Sequence, residues 1–398
     1  MSESEAVIRI AAKGDGVTAS GRHVLGGVTG DVVESDGTLS FGPHHVEPPC
    51  RHFPECGGCQ LQYADESVLR QFVTDRVVNA AEGQGLAIGT LLETHLSPPK
   101  SRRRATLHGM KTRSGAVLGF KQQRSHHVLD LRECPVLDPA LFRLIAPLRD
   151  AIARYAGKRP VDISLTLADQ GVDCTISGIE LDGLAATEGI LELARTNSLT
   201  RLTVHDGYTP QTVWEPEPVT VSLGRTPVGL PVGSFLQPTQ DGEQRLCADV
   251  REFVGSATTV ADFFAGLGTF AFSVVGPAKV LAVEAARDAH LACKLAADRG
   301  QLPVHTMHRD LFRNPLQPQE IGRFDAAILD PPRAGAHKQV TQIAQSDIER
   351  VAYVSCNPAS WARDAKTLID AGFRLEKVRP VGQFRWSTHV ELTSLFMR

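Results

Sequence analysis

The sequence has no run of eighteen apolar residues, which argues against a membrane-spanning helix. Its first five residues, Met1-Ser-Glu-Ser-Glu5, are acidic and lack an apolar core segment, so no secretory signal is expected and a cytoplasmic protein is. It has almost no net charge, −3 at neutral pH, so the total gives no sign of a polyanionic partner. With 42% hydrophobic and 22% charged residues the composition is that of a soluble globular protein. A chain of 398 residues exceeds one ordinary core, and two or three domains are expected. A monomer is expected.

The charge is unevenly spread. Residues 100–132 hold nine Lys/Arg (Lys100, Arg102, Arg103, Arg104, Lys111, Arg113, Lys121, Arg124, Arg132) against one acid, Asp130. Residues 160–220 hold ten Asp/Glu and two Arg. A basic bias over thirty residues favours a phosphate-binding surface over a merely solvated face.

Disulfides are not expected among the eight cysteines in a reducing compartment, so clusters of them point to metal or catalysis. Three fall within ten residues: Pro48-Pro-Cys50-Arg-His-Phe-Pro-Glu-Cys56-Gly-Gly-Cys59. All-thiolate ligation suits zinc or an iron–sulfur cluster, and spacing alone does not choose between them. Either needs a fourth ligand, for which Cys134 in Leu131-Arg-Glu-Cys-Pro135 is the candidate. The spacing is not the C-x3-C-x2-C of radical-SAM enzymes.

Ahead of that cluster, residues 7–48 read as short β segments broken by glycine, suited to a small barrel or a fragment of one. Residues 67–81 carry apolar side chains at helical intervals. A β-rich middle region follows, and turn-rich residues 224–231 mark a boundary. Beyond it, strands and helices alternate, which predicts a doubly wound, largely parallel sheet.

In that last region Asp262-Phe-Phe-Ala-Gly-Leu-Gly-Thr-Phe270 follows a strand and opens a helix. Glycines there let the backbone approach a ligand, and Glu284 at the next strand's end can take two ribose hydroxyls. The third glycine of dinucleotide sites is missing, and the pattern looks more like an S-adenosylmethionine site. Asp310, past the third strand, reads equally as an adenine acceptor or a helix cap. Asp330-Pro-Pro-Arg333 ends the next strand, and Cys356 ends the one after, where Pro358 stops the ladder. By position Cys356 is either a small core cysteine or a reacting group.

Five stretches together carry a resemblance: Gly233-Ser-Phe-Leu-Gln237, Asp262 through Phe270, Leu329-Asp-Pro-Pro-Arg-Ala-Gly335, Val354-Ser-Cys-Asn-Pro358 and His389-Val-Glu391. They resemble the RNA 5-methyluridine (uracil-C5) methyltransferases. Cys50, Cys56, Cys59 and Cys134 resemble the 4Fe–4S ligands of the branch acting on 23S ribosomal RNA; the transfer-RNA branch lacks them. The resemblance implies a Rossmann-like class I methyltransferase domain over 232–398. It also implies a β-rich α+β RNA-binding domain over 49–231 and a shortened TRAM-like β segment over 1–48. It implies Cys356 as nucleophile and Glu391 as base. Around S-adenosylmethionine it places Gln237, Phe264, Glu284, Asp310 and Asp330, with Gly266, Gly268 and Thr269 of the glycine loop. Thr239 and Thr269 stand where the family has asparagine, and Ala265 where it has cysteine.

The implied chemistry needs these residue types. Carbon 5 of uridine attacks a methyl sulfonium poorly until a thiolate adds at carbon 6. The adduct then loses its carbon 5 proton to a carboxylate. Arg333 and Arg363 are candidate cations for ionising the thiol. The target uridine is expected to be extruded from folded RNA. Other readings are methylation of transfer RNA, and a non-catalytic iron–sulfur RNA-binding protein.

Overall fold

The computed structural model describes residues 4–205, 209–276 and 278–398. Residues 1–3, part of the acidic start, lie outside them.

A nine-stranded sheet carries the C-terminal part. Val304–His308, Lys279–Glu284, Thr259–Phe263, Ala326–Leu329 and Arg350–Ser355 lie side by side, all parallel. Such strands are covered on both faces, which is why they read as continuous apolar runs; Ala326–Leu329 is buried throughout. The last strand, Glu391–Met397, departs from the parallel expectation. It inserts antiparallel between Arg350–Ser355 and Arg374–Gly382.

The sheet also recruits chain from before the expected boundary. Thr90–Leu91 and His95–Leu96 pair with Arg374–Gly382. The amphipathic helix Glu66–Glu82 buries Val68, Leu69, Phe72, Val73 and Val77 in the same core as Trp361, Val378 and Phe396. Its start is capped by Asp65, whose side chain accepts from the Val68 N–H at 2.9 Å. Packing thus ties residues 66–96 to the nine-stranded sheet, although sequence order places them in the central part.

The central six-stranded sheet runs Gln211–Trp214, Leu199–His205, Gly171–Ser177, Val161–Ala168, Arg104–Thr112, Gly115–Gly119. Alternation decides its faces: Val161, Ile163 and Leu165 are buried, Asp162 and Ser164 exposed. Helix Ile145–Tyr155 covers the buried face with Leu148 and Ile152. The turn-rich residues 224–231 are no loose linker; they form most of a hairpin, Thr220–Leu223 with Thr226–Gly229. At the N-terminus five short strands between Glu5 and Ser40 make a separate sheet.

The basic stretch divides. Lys100, Lys111, Arg113, Lys121, Arg124 and Arg132 are exposed. Arg103 is buried: its Nε donates to the Gln237 carbonyl at 3.0 Å and its guanidinium pairs with buried Glu243 at 2.5 Å. It joins the central sheet to the C-terminal part and does not serve as phosphate-binding surface.

Candidate active site

A cavity of about 1850 Å³ opens at the carboxyl ends of the parallel strands. Gln237, Phe264, Gly266, Thr269, Glu284, Asp310 and Asp330 all line it. The Glu284 carboxylate accepts from the Gly266 N–H at 2.8 Å and the Ala286 N–H at 2.6 Å, which fixes its aim. Phe264 holds φ at +63°, a left-handed conformation that costs a non-glycine residue about 1–3 kcal/mol. Its ring stands 5.3 Å from that of Phe312. Asp310 lines the cavity and also accepts from the Phe312 N–H at 2.9 Å, but that bond closes a turn and caps no helix, since the next helix, Pro318–Ile321, starts after Gln317.

Gly268 does not line the cavity. With φ +94° it sits at the start of the Thr269–Val274 helix, and an added Cβ would lie 2.6 Å from the Phe272 ring and 2.9 Å from Cys293 Sγ. Its freedom serves turn and packing. Asp262 is buried beneath the loop, holding the Ala271 N–H at 2.9 Å with one oxygen and nothing with the other. Burial pushes its carboxyl up to about 8.

A second cavity, about 1100 Å³, shares a wall with the first: Gly233, Ser234, Phe235, Arg333, Cys356 and Glu391 line both. Its far side is built by Arg102, Arg104, Ser164 and Thr166 of the central part and by Phe384 and His389. Phe235 is 63% exposed, with the Arg104 guanidinium 4.9 Å from its ring centre. The geometry is that of a wide pocket at the strand ends opening into a cationic, aromatic-lined groove.

Cys356 and Glu391 meet through the antiparallel insertion. Ser355 and Leu392 are register partners, so the end of one strand and the start of the next share one edge of the sheet. Cys356 is exposed, whereas Glu391 is buried. The loop holding the thiol is stapled down. Asn357 caps the Pro358–Asp370 helix by accepting from the Ala359 N–H, and its Nδ2 donates to the Arg333 carbonyl at 3.0 Å. Ser360 Oγ donates to the same carbonyl at 3.0 Å.

Burial, then the Glu391 and Asp330 carboxyls, push the Cys356 thiol up; Arg333 pulls the other way. Arg363 is exposed and lines neither cavity, so it is not the cation expected there. Burial pushes the Glu391 carboxyl up to about 7, against a lowering hydrogen bond from Gln383. Asp330 is raised by burial, then by Glu391 and Asp262.

A family model described as tRNA (uracil-5-)-methyltransferase matches residues 308–398. An uncharacterized RNA methyltransferase of Zymomonas mobilis is 49% identical over 98% of this chain and 99% of its own length. The 23S rRNA (uracil(1939)-C(5))-methyltransferase RlmD of Pectobacterium atrosepticum is 31% identical over 90% of this chain and 82% of its own. The chain belongs to the RNA uracil-C5 methyltransferases. Their fold is seen in the tRNA (uracil-54, C5)-methyltransferase of Pyrococcus abyssi in complex with S-adenosyl-L-homocysteine. It has a TM-score of 0.74 and 19% identity, over 99% of this chain and 100% of that one. This uracil-C5 methyltransferase is thus a class I, S-adenosylmethionine-dependent enzyme acting on RNA. No helix among the described residues is long and apolar enough to cross a membrane.

Four of the other seven cysteines of this methyltransferase gather elsewhere. Cys50, Cys56, Cys59 and Cys134 line one cavity of about 420 Å³ with Phe53, Leu131 and Val136. Burial raises all four thiols, Cys59 to about 12. Among the described residues, no three His, Cys, Asp or Glu side chains are placed to hold a single metal ion. Arg102 lines this cavity and the cationic groove alike. The cysteine loop also braces the active site: the N–H groups of Gln60 and Leu61 both donate to the Trp386 carbonyl, at 2.7 and 3.0 Å.

One functional position was invisible in the sequence. Gln383 touches both Gln237 and Glu391. Nothing local in Val381-Gly-Gln-Phe384 marks it, because its partners lie 146 and 8 residues away.

Proposed function

We propose that this methyltransferase transfers a methyl group from S-adenosylmethionine to carbon 5 of a uridine in 23S ribosomal RNA, through a covalent Cys356 adduct. The observation that carries the reading is the shared wall: thiol and carboxyl stand together where the donor pocket meets the cationic groove. The Cys356 thiolate adds to carbon 6, and carbon 5 takes the methyl group from the sulfonium. Glu391, raised toward neutrality, removes the carbon 5 proton, and breaking of the carbon 6–sulfur bond restores the ring and the thiolate. Asp330 and Glu391 raise the thiol, and a sulfonium cation beside them would offset that effect. The nucleophile would therefore ionise more readily with donor bound. Glu284 suits the ribose hydroxyls, and the Phe264 and Phe312 rings the adenine.

The choice of 23S RNA rests on the likeness to RlmD and on the four further cysteines. The residues present fit a four-thiolate group: Cys50, Cys56, Cys59 and Cys134 line one cavity with Phe53, Leu131 and Val136, and the resemblance to the 23S branch selects a 4Fe–4S cluster over zinc. Cys50, Cys56, Cys59 and Cys134 would hold it. Its chemistry there is cross-linking: it would tie the cysteine loop to the segment around Cys134. The exposed cations of residues 100–132 would meet RNA phosphates.

The test has two arms. RNA carrying 5-fluorouridine at the target has no carbon 5 proton to lose, so the protein should stall as a methylated adduct attached at Cys356, read by mass spectrometry. Mapping 5-methyluridine in 23S and transfer RNA, with and without the protein, should show a site lost from 23S. Loss from transfer RNA alone would replace the substrate while leaving the chemistry intact. Bulk RNA without change, together with no adduct, would support the non-catalytic reading instead.

A further inference from the structure

Gln383 follows the Arg374–Gly382 strand and is 2% exposed. Its Oε1 accepts from the Thr239 backbone N–H at 3.3 Å and from the Thr239 hydroxyl at 3.1 Å. Its Nε2 donates to Gln237 Oε1 at 2.9 Å and to Glu391 Oε2. An amide nitrogen has two hydrogens, and both are used.

The sense of this relay is not arbitrary. A side-chain amide can be flipped on paper, but a backbone N–H can only donate. The atom facing Thr239 must be the Gln383 oxygen, so its NH₂ faces Gln237 and Glu391. Gln237 must then turn its own oxygen toward Gln383, which leaves its NH₂ for the cavity it lines. The anchor is firm. Thr239 caps the Gln240–Val254 helix, its hydroxyl accepting from the Gly242 N–H at 3.2 Å and meeting Ser97 Oγ at 3.0 Å.

Gly242 makes the arrangement possible. A Cβ at that helical position would lie 2.5 Å from Gln383 Cδ, Cγ and Oε1. A glycine inside a helix costs roughly 1 kcal/mol relative to alanine, and here the space it leaves is filled by Gln383.

We propose that Gln383 is a positioning and specificity residue: it holds the Glu391 carboxyl and turns the Gln237 donors into the cavity that Cys356 and Glu391 also line, so that Gln237, expected beside the methyl donor, faces the reacting base there. The site therefore accepts a pyrimidine with a carbonyl at carbon 4 and rejects one with an amino group there. A donor facing an amino group leaves both unpaired, and buried mispairing of this kind gives strong discrimination. This rests on the proposed uridine chemistry, which assigns no role to Gln383.

Gln383→Leu keeps the volume and removes the relay; Gly242→Ala displaces the side chain without altering it. Each is compared with the wild-type protein on RNA carrying uridine or cytidine at the target. The ratio of kcat/KM for the two bases should fall at least about tenfold. The acidic, ascending limb of the single-turnover pH profile should also move to higher pH, since a carboxylate that loses a donor binds its proton more tightly. The other groups facing Glu391 are unchanged in both variants: Asp330 and Arg333 on one loop, Cys356 on the next, and Arg102, Arg104 and His389 across the groove.

Both readouts are independent of how much protein folds. Titration of the Glu391 carboxyl by carbon-13 NMR in the free protein reads the same hydrogen bond without RNA, so the positioning role is tested even if the substrate assignment fails. Wild-type base preference, pH profile and Glu391 titration in both variants would overturn the proposal. A wild-type protein unable to methylate uridine, with a shifted Glu391 titration in the variants, would overturn the substrate reading and its specificity consequence alone.

Discussion

Two groups of cysteines in this protein share a side chain and little else. Cys356 stands exposed at a strand end, between two carboxyls and an arginine, with a second cavity opening beside it. Cys50, Cys56 and Cys59 are buried and Cys134 is nearly so; all four line a small cavity with aromatic and aliphatic walls. The difference teaches what a thiol needs for each trade. A nucleophile needs access, a proton acceptor nearby and a leash on its loop, which Asn357 and Ser360 supply. A ligand needs other thiols and a shell that keeps water out.

The sharpest way to break that contrast is Cys356→Ala. Methyl transfer to RNA should fall by roughly a thousandfold or more, with the melting temperature unchanged. Transfer of labelled methyl groups at wild-type rate would erase the distinction. Glu391→Gln should cost about a hundredfold or more in turnover, and the adduct should accumulate because its proton has nowhere to go.

The same residue ties rate to stability through pH. Its carboxyl titrates near 7 when folded and near ~4.3 when unfolded, so the folded chain binds the extra proton between them. That contribution is complete below the unfolded value and is lost as pH rises through the folded one. Activity should climb over the upper part of that interval, as the base ionises, while stability declines. Glu391→Gln should flatten this residue's share of both curves, measured by single turnover and thermal melts.

Cys59→Ser should show the opposite signature from Cys356→Ala. Iron and sulfide in anaerobically purified protein should fall, and melting should come several degrees lower. Methylation should drop only about tenfold, since the thiol and base remain in place. Zinc in place of iron would leave the ligand reading intact and replace the metal. The smallest effect belongs to Cys174, fully buried in the central core. Cys174→Ala should cost about 1 kcal/mol in denaturant unfolding and nothing in rate.

How far the sequence could be read depended on how local each cause was. The Glu66–Glu82 helix and the Arg350–Ser355 strand that ends before Cys356 are written in their own periodicity and appear as expected. The pocket residues were legible because a strand end, a glycine turn and an acid recur in fixed order along the chain. Pairing between distant segments was not. Nothing within Glu391–Met397 says that it runs antiparallel between two other strands. Arg103 looked like its basic neighbours until Glu243, 140 residues on, closed over it. Gly268 and Gly266 are both glycines in one short loop; the nearness of Phe272 and Cys293 separates the packing glycine from the one at the cavity.

The Trp386 carbonyl, which takes N–H groups from Gln60 and Leu61, is a point where the cysteine loop meets the catalytic sheet. Five residues further on stands Glu391. Damage to one of the loop's thiols would be felt at the proposed base as looseness, with no group of the proposed chemistry altered. If the proposed iron cluster sits there, the fraction of RNA carrying the methyl mark becomes a written record of the oxidant and iron supply the cell met while that RNA was made.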